Sequence, residues 1–78
     1  MNKEGLLQAL RKERIRDDAF DLHGGHLTET YTLSESCGQW FVYYSEKGLE
    51  SGKKEFATES QACEYLLRLL KNDPTVRM

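Results

Sequence analysis

Proline is nearly missing from this chain: Pro74 is the only one in 78 residues. Cysteine is scarce as well, with Cys37 and Cys63 the only two. One pair of thiols cannot supply the dense disulfide framework that small secreted domains use in place of a large core. No apolar run reaches the length of a membrane span or a signal-peptide core. Those absences favour a cytoplasmic protein whose thiols stay free. Charge of one sign is lacking too. Eleven basic residues face thirteen acidic ones, for a net charge of −2. Lys3, Arg11, Lys12, Arg14 and Arg16 are followed at once by Asp17, Asp18 and Asp21. A nucleic-acid binder shows a basic stripe instead, so neither nucleic acid nor membrane is an expected partner.

What is present fits one small domain, residues 1–78. A domain of this size buries only about 60% of the surface its unfolded chain exposes. A deep catalytic cavity would remove the contacts that hold it together. The first segment, Asn2 to Arg14, reads as a helix. Asn2 serves as N-cap, Leu6, Leu7 and Leu10 recur at helical spacing, and Gly5 predicts a frayed first turn. Arg16-Asp17-Asp18 reads as a turn, and Ala19 to Leu22 as a short extended piece broken by Gly24-Gly25.

Leu27 to Glu35 alternates as a strand, and Ser36-Cys37-Gly38 supplies a hairpin turn. Gln39 to Ser45 is the next strand. Leu49 to Gly52 reads as a loop, and Lys53 to Phe56 as an edge strand guarded by its lysines. Thr58-Glu59-Ser60-Gln61 has the spacing of a capping box. Behind it, Ala62, Cys63, Leu66, Leu69 and Leu70 form an apolar helical stripe. Asp73-Pro74 closes that helix, which leaves residues 72–78 as a tail. The implied fold is an α+β two-layer sandwich, α-β-β-β-β-α. Its sheet is a three- to four-stranded antiparallel meander with both helices on one face.

In that arrangement Tyr31, Leu33, Trp40, Val42, Tyr44 and Phe56 face the helices. Phe41 and Tyr43 then stand among Thr30, Thr32 and Ser34 on the open face. An antiparallel sheet tolerates one solvated face, but two rings exceed what solvation needs. They read either as an interaction surface or as cross-strand pairs that stabilise the sheet. Asp17, Asp18, Glu35, Glu46 and Glu50 fall at turns and strand ends, as a negative rim or as an ordinary charged surface. His23 and His26, with Cys37 and Cys63, are zinc-compatible types, but no C-x-x-C pair gathers them. Cys63 lies near a helix N-terminus, which lowers a thiol pKa, yet also on the apolar stripe. Phosphate-loop spacing is absent. No catalytic, metal or cofactor site is expected.

Two stretches resemble a family of small bacterial proteins. Trp40-x-Val42-Tyr43-Tyr44-Ser45-Glu46-Lys47-Gly48 is similar to a "W-x-V-Y-Y-S-E-R-G" strand and turn. Phe56-x-Thr58-Glu59-x-x-Ala62-Cys63-x-Tyr65-Leu66-Leu67 is similar to "F-x-[ST]-E-x-E-A-C-x-Y-L-L". The N-terminal half matches more loosely, through an "E-G-L-L-x-x-L" helix and a "Y/F-x-L-x-G-G" segment. Such proteins neighbour Rhs-type and other polymorphic toxins. The resemblance therefore implies a cognate immunity protein, which binds a toxin domain and turns nothing over. Lys47 stands where the pattern has Arg, and lysine lacks the planar two-pronged contact. Gln61 stands where it has Glu and still suits the capping box. The expected contact residues are Phe41, Tyr43, Glu46 and Lys47, with Glu35 and Glu50 at the rim. A homodimer whose open faces pair is the competing reading.

Overall fold

The computed structural model describes residues 1–22, 29–47 and 49–77. The elements run α1 (Lys3–Lys12), β1 (Phe20–Asp21), β2 (Thr30–Ser36), β3 (Gln39–Glu46), β4 (Leu49–Phe56) and α2 (Glu59–Lys71). Short 3-10 turns cover Asp17–Ala19 and Pro74–Val76. The fold is the expected α+β order with helices at both ends of the chain.

Each helix starts where its cap dictates. The Asn2 carboxamide oxygen accepts from the Gly5 amide at 2.8 Å, and the Thr58 hydroxyl accepts from the Gln61 amide at 3.2 Å. α1 stops two residues short of the expected Arg14. There the Ile15 amide reaches back to the Leu10 carbonyl at 2.9 Å and the Arg14 amide to Arg11 at 3.0 Å. That pair of bonds is a Schellman ending, with Arg14 in the left-handed region at φ 60° and buried Ile15 packing near Leu10.

The two helices run parallel. At one end the Met1 ammonium donates to Ser60 Oγ at 3.1 Å and the Lys3 amide to Glu59 Oε2 at 3.0 Å. At the other end the Arg77 guanidinium donates to the carbonyls of Glu13 at 3.3 Å and Lys71 at 3.2 Å. Parallel neighbours align their dipoles unfavourably. A carboxylate between both N-termini and a guanidinium between both C-termini offset that. Glu59 thus pins the first turn that Gly5 was expected to loosen. Within the stretch expected as a tail, residues 75–77 dock on the domain: Val76 is buried, its carbonyl accepts from the Arg16 amide at 2.9 Å, and Arg77 bridges Ile15.

The four strands lie in the order β1-β2-β3-β4. β2, β3 and β4 form the expected antiparallel meander. The short β1 joins the sheet, but parallel to β2, so the sheet is mixed. A second departure is β4. Leu49 to Gly52, expected as a loop, is strand, and it pairs Glu46↔Leu49, Ser45↔Glu50 and Tyr44↔Ser51. Val42 then pairs Lys54, so Gly52 and Lys53 together oppose Tyr43 as a bulge. Gly52 sits at φ 65°, where a side chain is strained. Glu29, expected within β2, is instead a turn residue at φ 58°.

One face of the sheet carries the apolar core. Leu33 and Val42 pair across β2 and β3 and are fully buried with Leu6, Leu10, Leu66 and Leu70. Each such side chain contributes about 2 kcal/mol by leaving water. Tyr31 and Tyr44 pair edge to face with ring centroids 5.0 Å apart. Phe56 and Tyr65 pair at 5.1 Å where β4 meets α2. The Tyr31 hydroxyl donates to Asp73 Oδ2 at 2.9 Å, tying the sheet to the turn that ends α2.

Candidate functional site on the open face

Strand alternation sorts the expected contact residues. Phe41 opposes Ser34 and Glu55, and Tyr43 opposes Thr32, on the face without helices. Glu50 opposes Ser45 on that same face. Glu35 and Glu46 do not join them. Glu35 pairs with Trp40 and shares parity with Leu33, while Glu46 shares parity with Val42 and Tyr44. These two carboxylates therefore belong to the opposite face, at opposite ends of β3. Lys47 occupies the β3–β4 turn at φ 49°. The structure brings together Phe41, Tyr43 and Glu50, and separates Glu35 and Glu46 from them.

The face also differs from the expectation that both rings look outward. Tyr43 is only 4% exposed, while Phe41 is half-buried. Around Tyr43, Asp21, Thr30, Thr32 and Ser45 are buried too. The Thr30 and Thr32 hydroxyl oxygens lie 3.4 Å apart. Lys53, aimed across the sheet by the bulge, holds its ammonium 4.6 Å from the Phe41 ring centroid and 5.7 Å from that of Tyr43. The same ammonium meets Glu50 Oε1 at 3.1 Å. Both partners are substantially solvated, so this pair contributes under about 1 kcal/mol. Its role is to place a cation over two π faces.

Burial, and then the neighbouring Glu50 charge, push the Tyr43 phenol above its ordinary pKa, while Lys53 pulls the other way. Tyr43 is thus a neutral donor at pH 7. Among the described residues no buried side-chain nitrogen or oxygen lacks a hydrogen-bond partner. The centre of this face is a satisfied polar layer. Phe41, Lys53, Glu50 and Glu55 form its accessible surface.

Lys53 and Asp21 were not among the expected site residues. Gly52 held the signal for the first, since an isolated glycine in a strand pattern marks a bulge that re-aims its neighbour. The thiols stay apart: Cys37 is exposed in the β2–β3 turn and Cys63 is buried. Burial raises the Cys63 pKa, with Glu59 adding to it, against the Met1 ammonium and Lys3, so the thiol is not lowered as its place near a helix terminus led one to expect. His23 and His26 lie outside the described residues. Among those described, no group of three or more His, Cys, Asp or Glu side chains could hold a metal ion. No helix there is long and apolar enough to cross a membrane.

Compared with known proteins, the chain matches no family model, no curated protein and no solved structure. The functional reading therefore rests on the site's own chemistry.

Proposed function

We propose that this protein is a non-enzymatic binding module, a cognate immunity protein that neutralises a polymorphic toxin of the Rhs type by occupying it in the cytoplasm. One observation carries the reading. The half-buried Phe41 ring lies under the Lys53 ammonium and beside Glu50 and Glu55 on a sheet face that no helix among the described residues covers. An aromatic anchor ringed by charges of both signs is the composition of a protein-binding hot spot with a polar rim. The resemblance of the Trp40 to Gly48 and Phe56 to Leu67 stretches to the immunity proteins supports it further. The slight negative charge suits a basic partner and faster encounter.

The test pairs the chain with the toxin domain encoded beside its gene. Wild-type protein protects cells expressing the toxin and binds it in calorimetry. The double variant Phe41→Ala with Glu50→Lys keeps its circular dichroism spectrum and loses protection. If that variant protects as well as wild type, the open face is the wrong surface. If wild type neither binds nor protects, the immunity reading itself fails.

A further inference from the structure

The charges of β4 divide between the two faces of the sheet. Lys54 pairs with Val42 and belongs to the helix side, while Glu50 and Glu55 pair with Ser45 and Phe41 on the open side. Asp21 joins them there through its pairing with Thr32. Among the described strand residues, the open side thus sets the carboxylates of Asp21, Glu50 and Glu55 against one cation, Lys53. The Lys53 ammonium stands 4.6 Å from the Phe41 ring centroid, 5.7 Å from that of Tyr43 and 3.1 Å from Glu50 Oε1. Two rings and a carboxylate converging on one point make a cation-binding cage. A residue of the protein's own edge strand fills it.

That occupant is weakly held. Lys53 is exposed, it hangs on a flexible four-carbon stem, and its ion pair with Glu50 stands in water, where such pairs contribute little. It reaches the rings because the strand bulges at Gly52, which sits at φ 65°. A guanidinium suits the same cage better. It lies flat on an aromatic face, gives a carboxylate two parallel hydrogen bonds, and sheds water more readily than an ammonium. Once Lys53 swings aside, the remaining carboxylates of the face are unopposed by it and draw a foreign cation in.

We propose that an arginine of the partner protein enters this cage and displaces Lys53, an internal stand-in that keeps weaker cations out. The inference rests on the open face being the binding surface, and it names what that surface takes. A partner lysine only exchanges one ammonium for another, so the cage discriminates between the two basic side chains.

Three capped tripeptides test it by NMR on the full chain without any toxin: glycine on either side of arginine, lysine or citrulline. The arginine peptide shifts the Phe41 and Tyr43 ring signals and binds at least about fivefold more tightly than the other two. As it binds, the Lys53 ε-methylene protons lose the upfield shift that the rings impose. Lys53→Ala, which removes an exposed side chain, tightens arginine-peptide binding about fivefold. Phe41→Leu, which keeps the hydrocarbon and loses the ring, weakens it. Equal binding of the arginine and citrulline peptides, unchanged or weaker binding to Lys53→Ala, or a Lys53 signal that keeps its shift at saturation overturns the proposal. The immunity reading survives those outcomes if Phe41→Ala with Glu50→Lys still abolishes protection. A protein that binds the arginine peptide as described, yet neither binds the toxin nor protects against it, fails that reading and keeps the cage.

Discussion

The two faces of β2 and β3 are buried by different means. On the helix side, Leu33 and Val42 lose all contact with water against leucines from α1 and α2. One residue along, Thr32 and Tyr43 are nearly as inaccessible on a face with no helix. Their described neighbours there are polar: the Thr30 hydroxyl, the Asp21 and Glu50 carboxylates near Tyr43, and a lysine ammonium brought over by a bulge. Low accessibility alone therefore does not mark the apolar core. The helix side stabilises by removing hydrocarbon from water. The open side satisfies hydrogen bonds and fixes where one cation sits, which leaves it chemically addressable.

Substitutions at adjacent positions separate the two modes. Leu33→Ala opens a cavity in the fully buried layer and costs about 3 kcal/mol in urea unfolding. Thr32→Val, equally buried and one residue away, costs under about 1.5 kcal/mol, because it trades one modest hydrogen bond for added apolar contact. Equal costs at the two sites would erase the distinction between the faces.

Tyr31→Phe probes the polar tether on the helix side and costs about 1 kcal/mol. Its pH signature is specific. Burial and the Asp73 hydrogen bond raise the Tyr31 pKa to about 12. Its contribution is thus complete below pH 10 and is lost as pH climbs through about 12. Hydrogen bonds from Thr75, and then from Tyr31, hold the Asp73 carboxyl below its ordinary value of 3.8. That contribution is present at neutral pH and is lost as pH falls below 3.8 through the folded-state value. Denaturant midpoints measured against pH fall at both extremes in wild type. The fall at the alkaline end is shallower in Tyr31→Phe.

Lys53→Met keeps the stem over Phe41 and Tyr43 but removes the charge. It costs about 0.5 kcal/mol, with the loss smaller at high salt if the ion pair with Glu50 contributes alongside the ring contacts. The smallest effect lies at the hairpin tip. Cys37 and Gly38 both have positive φ, 53° and 78°, and that turn favours Asn before Gly. Cys37→Asn stabilises by about 0.5 kcal/mol, without altering either face.

Much of this architecture was legible in the residues. Asn2 and Thr58 announced the helix starts, and the alternation of Tyr31, Leu33, Trp40, Val42 and Tyr44 assigned the helix-facing side correctly. Those signals are local, a cap or a period. What escaped depends on contacts distant in sequence. Two residues at Phe20–Asp21 cannot declare whether they pair parallel or antiparallel. Leu49 to Gly52 is rich in turn formers and read as a loop, yet the tight β3–β4 turn at Lys47 carries it into the ladder, and the bulge absorbs Gly52. Pro74 to Arg77 carried no periodic pattern, because its order comes from docking on Ile15 and on two helix ends. Phe41 and Tyr43 were placed on the correct face. The depth of Tyr43 and the Lys53 ammonium 5.7 Å from its ring only the folded sheet reveals.

The guanidinium of Arg77 spans the last carbonyls of helices that begin 56 residues apart in the chain. During synthesis, then, α1 emerges long before the side chain that joins it to α2 exists. The meander between them can pair strand by strand as it leaves the ribosome, but the helical layer can lock only afterwards. Closure at that end of the helical layer waits for residue 77, and a nascent chain halted before it lacks this tie between α1 and α2.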